Sequence, residues 1–225
     1  MAGSFPSAGP SPGRRRALAL LAGAGAALLA GSGIARAALG PKDEAAVTRV
    51  QDYLNGIQTA TARFEQIGPD GGLSRGRFYL KRPGRLRFEY EPPTPLLIVA
   101  DGTWLIVYDK ELKQVSRFPL FSTPLGVLVA DRIDLGKGVK VTRVDRQAGI
   151  LRLRVIDTDR PNEGWLGLAF SEPPLQLRQW HVKDAQGGLT NVALADLQTN
   201  VSVDPALFVF HETYSGQEQD HQGGR

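Results

Sequence analysis

The period of the apolar positions changes once along the chain. In residues 41–57 the apolar side chains recur at helical spacing, so that they share one face of a helix. Pro41 suits the first turn, the acidic Asp43 and Glu44 favour the positive end of a helix, and Gly56 favours its termination. The pattern predicts one amphipathic helix from Pro41 to Ile57.

From Thr59 onward, short runs of strand-forming residues are separated by turn residues. In residues 85–91 the apolar side chains fall on one face of a strand and the charged ones on the other. Asp101-Gly102 lies between two such runs and is a strong signal for a two-residue hairpin turn. The predicted strands are Thr59 to Ile67, Leu73 to Arg82, Arg85 to Glu91, Leu96 to Ala100, Thr103 to Tyr108, Leu112 to Arg117, Val139 to Val144, Ile150 to Ile156, Trp165 to Phe170, Leu175 to Val182 and Leu189 to Leu197. About eleven short antiparallel strands predict a mainly β fold whose sheet has to curl or close.

One apolar segment interrupts the strands. Ser122-Thr123-Pro124 predicts a helix start in which a hydroxyl caps the first turn and proline occupies the first helical position. The next six residues, 125–130, are almost all apolar. A short helix of this kind is either a plain core helix or one that faces protein on one side and an apolar ligand on the other.

A cluster of six cations occupies residues 75–87. Side-chain alternation places five of them away from the apolar face, whereas Arg82 continues the apolar row of Phe78 and Leu80. A buried unpaired charge is costly, so Arg82 needs backbone carbonyls or a carboxylate as partners. The alternative is that Arg82 reaches solvent at the end of its strand.

The N-terminal residues 14–37 have the pattern of a secretory signal peptide. Three arginines precede an uncharged apolar run from Ala17 to Ala30, and Ala35-Arg36-Ala37 is a small-x-small cleavage site. The run is shorter than the ~20 residues of a membrane-spanning helix, which is the alternative. We therefore expect a cleaved leader (1–37), one domain (38–210) and a polar, disordered tail (211–225), with export by the general secretory or the twin-arginine route.

Composition narrows the function classes. The leader carries four arginines and no acid, so removing them from 27 basic residues leaves 23, equal to the 23 acidic ones. A neutral domain argues against nucleic-acid binding through bulk charge. The absence of cysteine excludes disulfides, thiolate metal sites and thioether-linked lipids.

Motifs for catalysis are missing or accidental. Gly9-Pro10-Ser11-Pro12-Gly13 matches a serine-hydrolase pattern, but it lies between prolines in the leader, where no strand-to-helix elbow can form. The three histidines are scattered without ligand spacing. Asp157 and Asp159 could form an acid pair, although solvated turn acids are the simpler interpretation. We expect no catalytic residue, no metal and no cofactor.

Several motifs, in order, resemble a known family. They are Phe64-Glu65-Gln66, then Leu80-Lys81-Arg82-Pro83-Gly84-Arg85-Leu86-Arg87-Phe88, Val99-Ala100-Asp101-Gly102-Thr103-Trp104-Leu105, Thr123-Pro124-Leu125 and Asp204-Pro205-Ala206-Leu207-Phe208. Together with the leader and the N-terminal helix, they are similar to LolA, the family of periplasmic outer-membrane lipoprotein carriers. The resemblance implies an incomplete, unclosed antiparallel β-barrel with helices over its mouth. The family's extra C-terminal strand is not evident after Phe210.

The resemblance also assigns roles. It implies that Arg82 is the clasp that holds a lid closed without cargo, and that the segment from Thr123 to Ala130 carries the lid helix. Strand alternation and the apolar helix predict which side chains line an apolar cavity. The expected lining is Phe78, Leu80, Leu86, Phe88, Tyr90 and Trp104, covered by Leu125, Leu128 and Val129 of the lid helix.

The function implied by the resemblance is that of a soluble, monomeric periplasmic carrier. Acylated lipoproteins would be its cargo, loaded by an inner-membrane lipoprotein-releasing exporter and passed to an outer-membrane lipoprotein acceptor. The related acceptor shares the fold but is anchored through cysteine, which this chain lacks. A periplasmic protein that binds or senses hydrophobic ligands with the same half-barrel is the alternative, and a secreted hydrolase is a weaker third.

Overall fold

The structure, a computed structural model, describes residues 39–211. The predicted leader, its cleavage site and nearly all of the predicted tail lie outside the described residues. None of the helices in the described range is both long enough and apolar enough to cross a membrane.

The described chain consists of one long helix, eleven strands, one short helix and two 3₁₀ turns. They are α1 (Pro41–Asn55), β1 (Thr59–Ile67), β2 (Leu73–Lys81), β3 (Arg85–Tyr90), β4 (Leu96–Asp101), β5 (Trp104–Asp109), β6 (Gln114–Pro119), a 3₁₀ turn (Leu120–Ser122), α2 (Leu125–Val129), β7 (Val139–Gln147), β8 (Ile150–Asp157), β9 (Trp165–Ser171), β10 (Gln176–Lys183), β11 (Leu189–Thr199) and a second 3₁₀ turn (Pro205–Phe208). The predicted elements are confirmed, with shifts of a few residues at their ends. The helix α1, for example, ends before Gly56.

All eleven strands form one antiparallel sheet. Its order is β6-β5-β4-β3-β2-β1-β11-β10-β9-β8-β7, so the first and last strands pair in the middle and every other neighbour is joined by a hairpin or short connection. The outer strands β6 and β7 do not pair with each other, and the sheet is an incomplete barrel as expected. The connection between these two edges carries the 3₁₀ turn and α2.

The hydrophobic core lies on one face of this sheet, which we call the inner face. Strand alternation supplies it, as in β8, where Leu151, Leu153 and Val155 are buried. The helix α1 packs its stripe of Ala46, Val50 and Leu54 into the same core. An aromatic cluster fills its centre, with ring centroids 5.0–5.9 Å apart, and consists of Phe64, Phe78, Phe88, Tyr90 and Trp180.

The chain after β11 covers part of the opposite, outer face. Phe208 is 2% exposed, and the carbonyl of Leu207 accepts a hydrogen bond from Arg87 Nη1 at 3.2 Å. The ring of Phe210 stacks edge-on against Tyr108. Up to residue 211 this segment adds a 3₁₀ turn but no twelfth strand.

Candidate functional site

A small apolar cavity lies between the inner face, α1 and α2, and we call it the inner cavity. Its walls come from the end of α1, from β2 and β3, from β10 and β11, and from α2. The lining side chains are Leu54, Ile57, Ala60, Phe78, Leu80, Arg82, Leu86, Phe88, Leu125, Leu128, Val129, Leu177, Trp180, Leu194 and Leu197. Its volume is about 40 Å³, enough for about three waters and far below the ~300 Å³ of a small ligand site. The structure therefore shows the cavity closed.

Most of the side chains expected around the cavity lie in its wall. These are Phe78, Leu80, Leu86 and Phe88 of the sheet and Leu125, Leu128 and Val129 of α2. Alternation along β2 and β3 places the first four on the inner face, where they pair across the strands.

Two of the expected lining residues lie elsewhere. Tyr90 is buried but sits deeper, where its ring packs on Phe64 and its hydroxyl donates to Gln66 at 2.8 Å. Burial raises the pKa of the Tyr90 phenol to about 12. Trp104 is outside the lining and 42% exposed, because alternation along β5 turns Leu105 to the inner face and Trp104 away from it.

The sequence reasoning missed the contribution of the second half of the sheet. Trp180 of β10 is 2% exposed and forms part of the cavity wall, together with Leu177, Leu194 and Leu197. The alternation of β10 was visible in the sequence. Its position opposite β2 and β3 was not, because it follows from the pairing of β1 with β11.

Arg82 closes the apolar row at the end of β2 and is 8% exposed. Its Nη2 donates to the carbonyl of Leu128 at 2.7 Å and its Nη1 to the carbonyl of Ala130 at 3.2 Å. These carbonyls lie at the C-terminal end of α2, where a helix leaves carbonyl groups without internal partners. The guanidinium thus bonds the end of α2, the helix expected to act as a lid, and carbonyl partners of this kind were one of the two alternatives for Arg82.

The environment of Arg82 is unfavourable for a charge. Burial lowers the pKa of its guanidinium to about 10, and the carboxylate of Asp131 opposes this effect. The Nε of Arg82 is buried without a hydrogen-bond partner. The two bonds to α2 therefore compensate only part of the desolvation of this side chain.

The turn after Arg82 brings the backbone against the same helix end. Gly84, at φ 70°, donates its amide to the carbonyl of Val129 at 2.7 Å. A Cβ on Gly84 would lie 2.8 Å from the Cα of Gly102, so only glycine fits where the β2–β3 and β4–β5 turns meet. The Lys-Arg-Pro-Gly and Asp-Gly motifs of the sequence are thus neighbours beside the lid helix.

The start of α2 differs from the expected hydroxyl cap. Pro124 occupies the capping position, without a side-chain hydrogen bond to the helix. The hydroxyl of Thr123 instead donates backward to the carbonyl of Leu120 at 2.7 Å. The expectation of a capping hydroxyl is wrong because α2 starts one residue later than expected, which places Pro124, a residue without a side-chain acceptor, at the capping position.

Two further contacts hold the lid segment, residues 120–135, on either side of α2. Downstream, Asn55 at the end of α1 donates to the carbonyl of Ile133 at 2.9 Å and accepts from its amide at 2.8 Å. Upstream, Arg160 of the β8–β9 loop donates to the carbonyl of Ser122 at 3.1 Å. Hydrogen bonds therefore hold the chain on both sides of α2, and Arg82 bonds the C-terminal end of the helix itself.

Comparison with known proteins gives a consistent result. The family model "Outer membrane lipoprotein carrier protein LolA" matches residues 55–211. A protein of Pseudomonas aeruginosa named outer-membrane lipoprotein carrier protein is 30% identical over 204 residues, covering 82% of this chain and 90% of the relative. A protein of the same name from Chromobacterium violaceum is 26% identical, over 81% of this chain and 91% of the relative. Another from Halorhodospira halophila is 33% identical, over 72% of this chain and 79% of the relative.

Among solved structures, similarity is more distant. A LolA superfamily protein from Nitrosomonas europaea is 13% identical, covers 72% of this chain and 97% of its own, and superimposes with a TM-score of 0.38.

Proposed function

The chain belongs to the LolA family of outer membrane lipoprotein carrier proteins, and on this basis we propose that it shelters the acyl chains of lipoproteins behind its lid helix and carries them from the inner to the outer membrane. The observation that supports this most directly is the arrangement of Arg82, α2 and the inner cavity. An apolar space is closed by a short helix, and a single buried side chain bonds the end of that helix.

The acyl chains of a lipoprotein require an apolar space of this kind. Transferring one methylene group from water to an apolar site is worth about 0.8 kcal/mol, so an acyl chain cannot cross an aqueous compartment uncovered. The inner cavity of about 40 Å³ is too small for an acyl chain. Loading therefore requires α2 to move away from the inner face, which breaks the bonds from Arg82 to Leu128 and Ala130.

We place this cycle in the periplasm, where the expected cleavage after Ala37 would release the domain. An inner-membrane exporter would supply the lipoprotein and an outer-membrane acceptor would receive it. N-terminal sequencing of the exported protein should begin near Ala38. A membrane-retained product that still carries Arg14 would contradict export with cleavage.

The carrier function is tested by identifying what the protein holds. Protein purified gently from the periplasm should yield acylated lipoproteins by mass spectrometry, and adding outer membranes that contain the acceptor should remove them. Recovery of free fatty acid or phospholipid alone would contradict the carrier function and favour the alternative of a hydrophobic-ligand binding or sensor protein.

A further inference from the structure

The exposed tryptophan and phenylalanine side chains of the described range are close in sequence and lie on neighbouring elements. Between residues 39 and 211 they are Trp104, Phe118 and Phe121, with exposed fractions of 42%, 47% and 57%. The other tryptophan and phenylalanine side chains of this range are buried or half-buried. None of the three lines the inner cavity, so the proposed cargo space does not account for them. A group of exposed large apolar side chains indicates an interaction surface.

The three side chains meet at one end of the sheet because the turns there are in contact. The β2–β3 turn packs on the β4–β5 turn, where a Cβ on Gly84 would lie 2.8 Å from the Cα of Gly102. The amide of Leu120 donates to the carbonyl of Thr103 at 2.9 Å, which holds the end of β6 against the same turn. We call the group at this end of the sheet the aromatic tip, and it consists of Trp104, Phe118 and Phe121.

The pairing of β5 with β6 explains why these rings do not cover one another. Phe118 lies opposite Leu105, which is on the inner face, and Trp104 lies opposite Pro119, on the outer face. The two rings therefore project from opposite faces of the same pair of strands. Packing within the sheet leaves both in water, and a surface outside the protein is needed to cover them.

Two cations without ion pairs accompany the aromatic tip. Lys81 and Arg85 lie opposite each other on β2 and β3, directly beside the β2–β3 turn. Within residues 39–211, neither side chain forms an ion pair or a hydrogen bond. Asp101 lies opposite Arg85 on β4, but its carboxylate accepts from the amides of Thr103 and Trp104 at 2.8 Å each and so is engaged in its own turn.

The cation cluster of residues 75–87 thus differs along its length. Arg75 and Arg87 form ion pairs with neighbouring glutamates, at 2.8 and 3.4 Å. Arg77 lies in the middle of β2, away from the tip. At the tip itself, Lys81 and Arg85 outnumber the one acid beside them, and the surplus of charge is positive.

Exposed tryptophan and phenylalanine beside unpaired lysine and arginine match the chemistry of an anionic membrane surface. Aromatic rings are favoured at the depth of the lipid head groups, and cations are attracted to anionic lipids. We propose that the aromatic tip docks on the surface of a bilayer that contains anionic phospholipid. Its rings enter the head-group layer, and Lys81 and Arg85 lie against the phosphates. The docking requires no bound cargo and goes beyond the carrier function.

Docking through the tip brings the end of the lid helix to the bilayer. The amide of Gly84 bonds the carbonyl of Val129, and Arg82 bonds the same end of α2, so this end lies beside the turns of the tip. The exposed Asp131 and Arg132, which follow α2, carry opposite charges and leave the positive surplus unchanged. As an account of how acyl chains pass between protein and membrane, this placement rests on the proposed carrier function.

Vesicle binding by the exported protein, freed of cargo, tests the proposal. The probes are protein-free vesicles of phosphatidylethanolamine with phosphatidylglycerol, and vesicles of phosphatidylcholine for comparison. We expect cosedimentation with the anionic vesicles, and binding about tenfold weaker to phosphatidylcholine or at ~0.5 M salt. Brominated phosphatidylglycerol should quench the fluorescence of the wild type, whereas Trp104→Phe should still bind but lose this quenching.

Matched substitutions separate the tip from the rest of the surface. Trp104→Ser combined with Phe118→Ser removes apolar area at the tip and should weaken vesicle binding at least about tenfold. Leu112→Ser removes a side chain that is 70% exposed at the opposite end of the same hairpin, and should leave binding unchanged. Equal losses in the two proteins, with unchanged circular dichroism, would overturn the assignment to the tip.

The cations are tested in the same way. Lys81→Gln combined with Arg85→Gln should weaken binding to the anionic vesicles about tenfold, whereas Arg77→Gln, in the middle of β2, should change it little. Equal losses in the two proteins would contradict the placement of the head groups at the tip.

The outcomes distinguish this proposal from the carrier function. No binding to protein-free anionic vesicles, with normal uptake of lipoprotein, would overturn membrane docking and leave the carrier function intact. Binding only to vesicles that contain membrane proteins would show that the tip docks on a protein, and would also overturn the proposal. Binding to protein-free vesicles by a protein that never yields lipoprotein from the periplasm would support docking and count against the carrier function.

Discussion

We expect that replacing Arg82 with leucine separates loading from release. The change removes both hydrogen bonds to the end of α2 and adds apolar surface to the inner cavity. The empty, closed state loses two of the bonds that hold α2 in place, while the loaded state gains a side chain compatible with acyl chains. We expect Arg82→Leu to take up lipoprotein at least as well as the wild type but to pass it on poorly.

The structure sets the size of this effect. The two charge-assisted bonds of Arg82 are each worth roughly 1.5–3 kcal/mol. Burial opposes them, because a pKa lowered to about 10 means that the charge costs about 3 kcal/mol at this site. Together the two bonds are worth about 3–6 kcal/mol, so the net loss from the closed state lies between about 0 and 3 kcal/mol. The middle of this range, about 1–2 kcal/mol, corresponds to a roughly 5- to 30-fold shift towards the open lid.

The assay follows two transfers separately. The first measures release of a radiolabelled lipoprotein from inner-membrane vesicles to the carrier, and the second measures its transfer from carrier to outer membranes. With Arg82→Leu, the first should proceed normally and the second should slow by about the same 5- to 30-fold.

Arg82→Lys is the matched control. Lysine keeps the charge but lacks the planar guanidinium that reaches two carbonyls at once, so it should restore the second transfer only in part. Normal second-step transfer by Arg82→Leu would refute the reasoning, since Arg82 would then be a structural residue and the lid would be held by other contacts.

Three further predictions follow from other parts of the site. Leu86→Glu places a charge in the lining of the inner cavity and should abolish lipoprotein uptake with the strand signal in circular dichroism retained, so normal extraction from membranes would show that the lining is misassigned. Burial raises the pKa of Tyr90 to about 12, so the stability that its neutral form contributes is present below pH ~10 and falls as the pH rises towards ~12, by up to about 3 kcal/mol. Tyr90→Phe should flatten this alkaline loss in urea unfolding, and an unchanged slope would contradict it. Asn55→Ala removes the paired bonds to Ile133 and should raise amide exchange of the lid segment at least tenfold, whereas Asn55→Asp, which still accepts from the amide, should raise it less.

Strand alternation predicted much of the fold and half of the site. It placed Leu86 and Phe88 on the inner face and singled out Arg82 as a charge in an apolar row, since these are properties of one strand and its residue parity. The opposite wall, with Trp180, depends on which distant strands meet. That pairing joins β1 to β11 across more than a hundred residues, and local patterns do not encode it.

The wrong expectations have local physical causes. Trp104 was expected in the cavity lining, but the parity of β5 turns Leu105 to the inner face and leaves Trp104 42% exposed on the other face. The expected cap requires Thr123 to stand directly before the first helical residue, but α2 starts one residue later and Pro124 takes that position. The exact start of a short helix after a 3₁₀ turn depends on backbone geometry that residue types alone do not specify.

In the loading cycle proposed above, the position of Arg82 keeps the affinity for cargo moderate. In the closed state its charge is buried but bonded to two carbonyls of α2. When acyl chains displace the helix, these bonds are lost and the apolar surroundings of the charge increase, so Arg82 has to move towards Asp131 or solvent. Each loading step therefore carries a penalty that is recovered when the lid closes again. A purely apolar wall would bind acyl chains more tightly and release them less readily, which is the behaviour expected of Arg82→Leu.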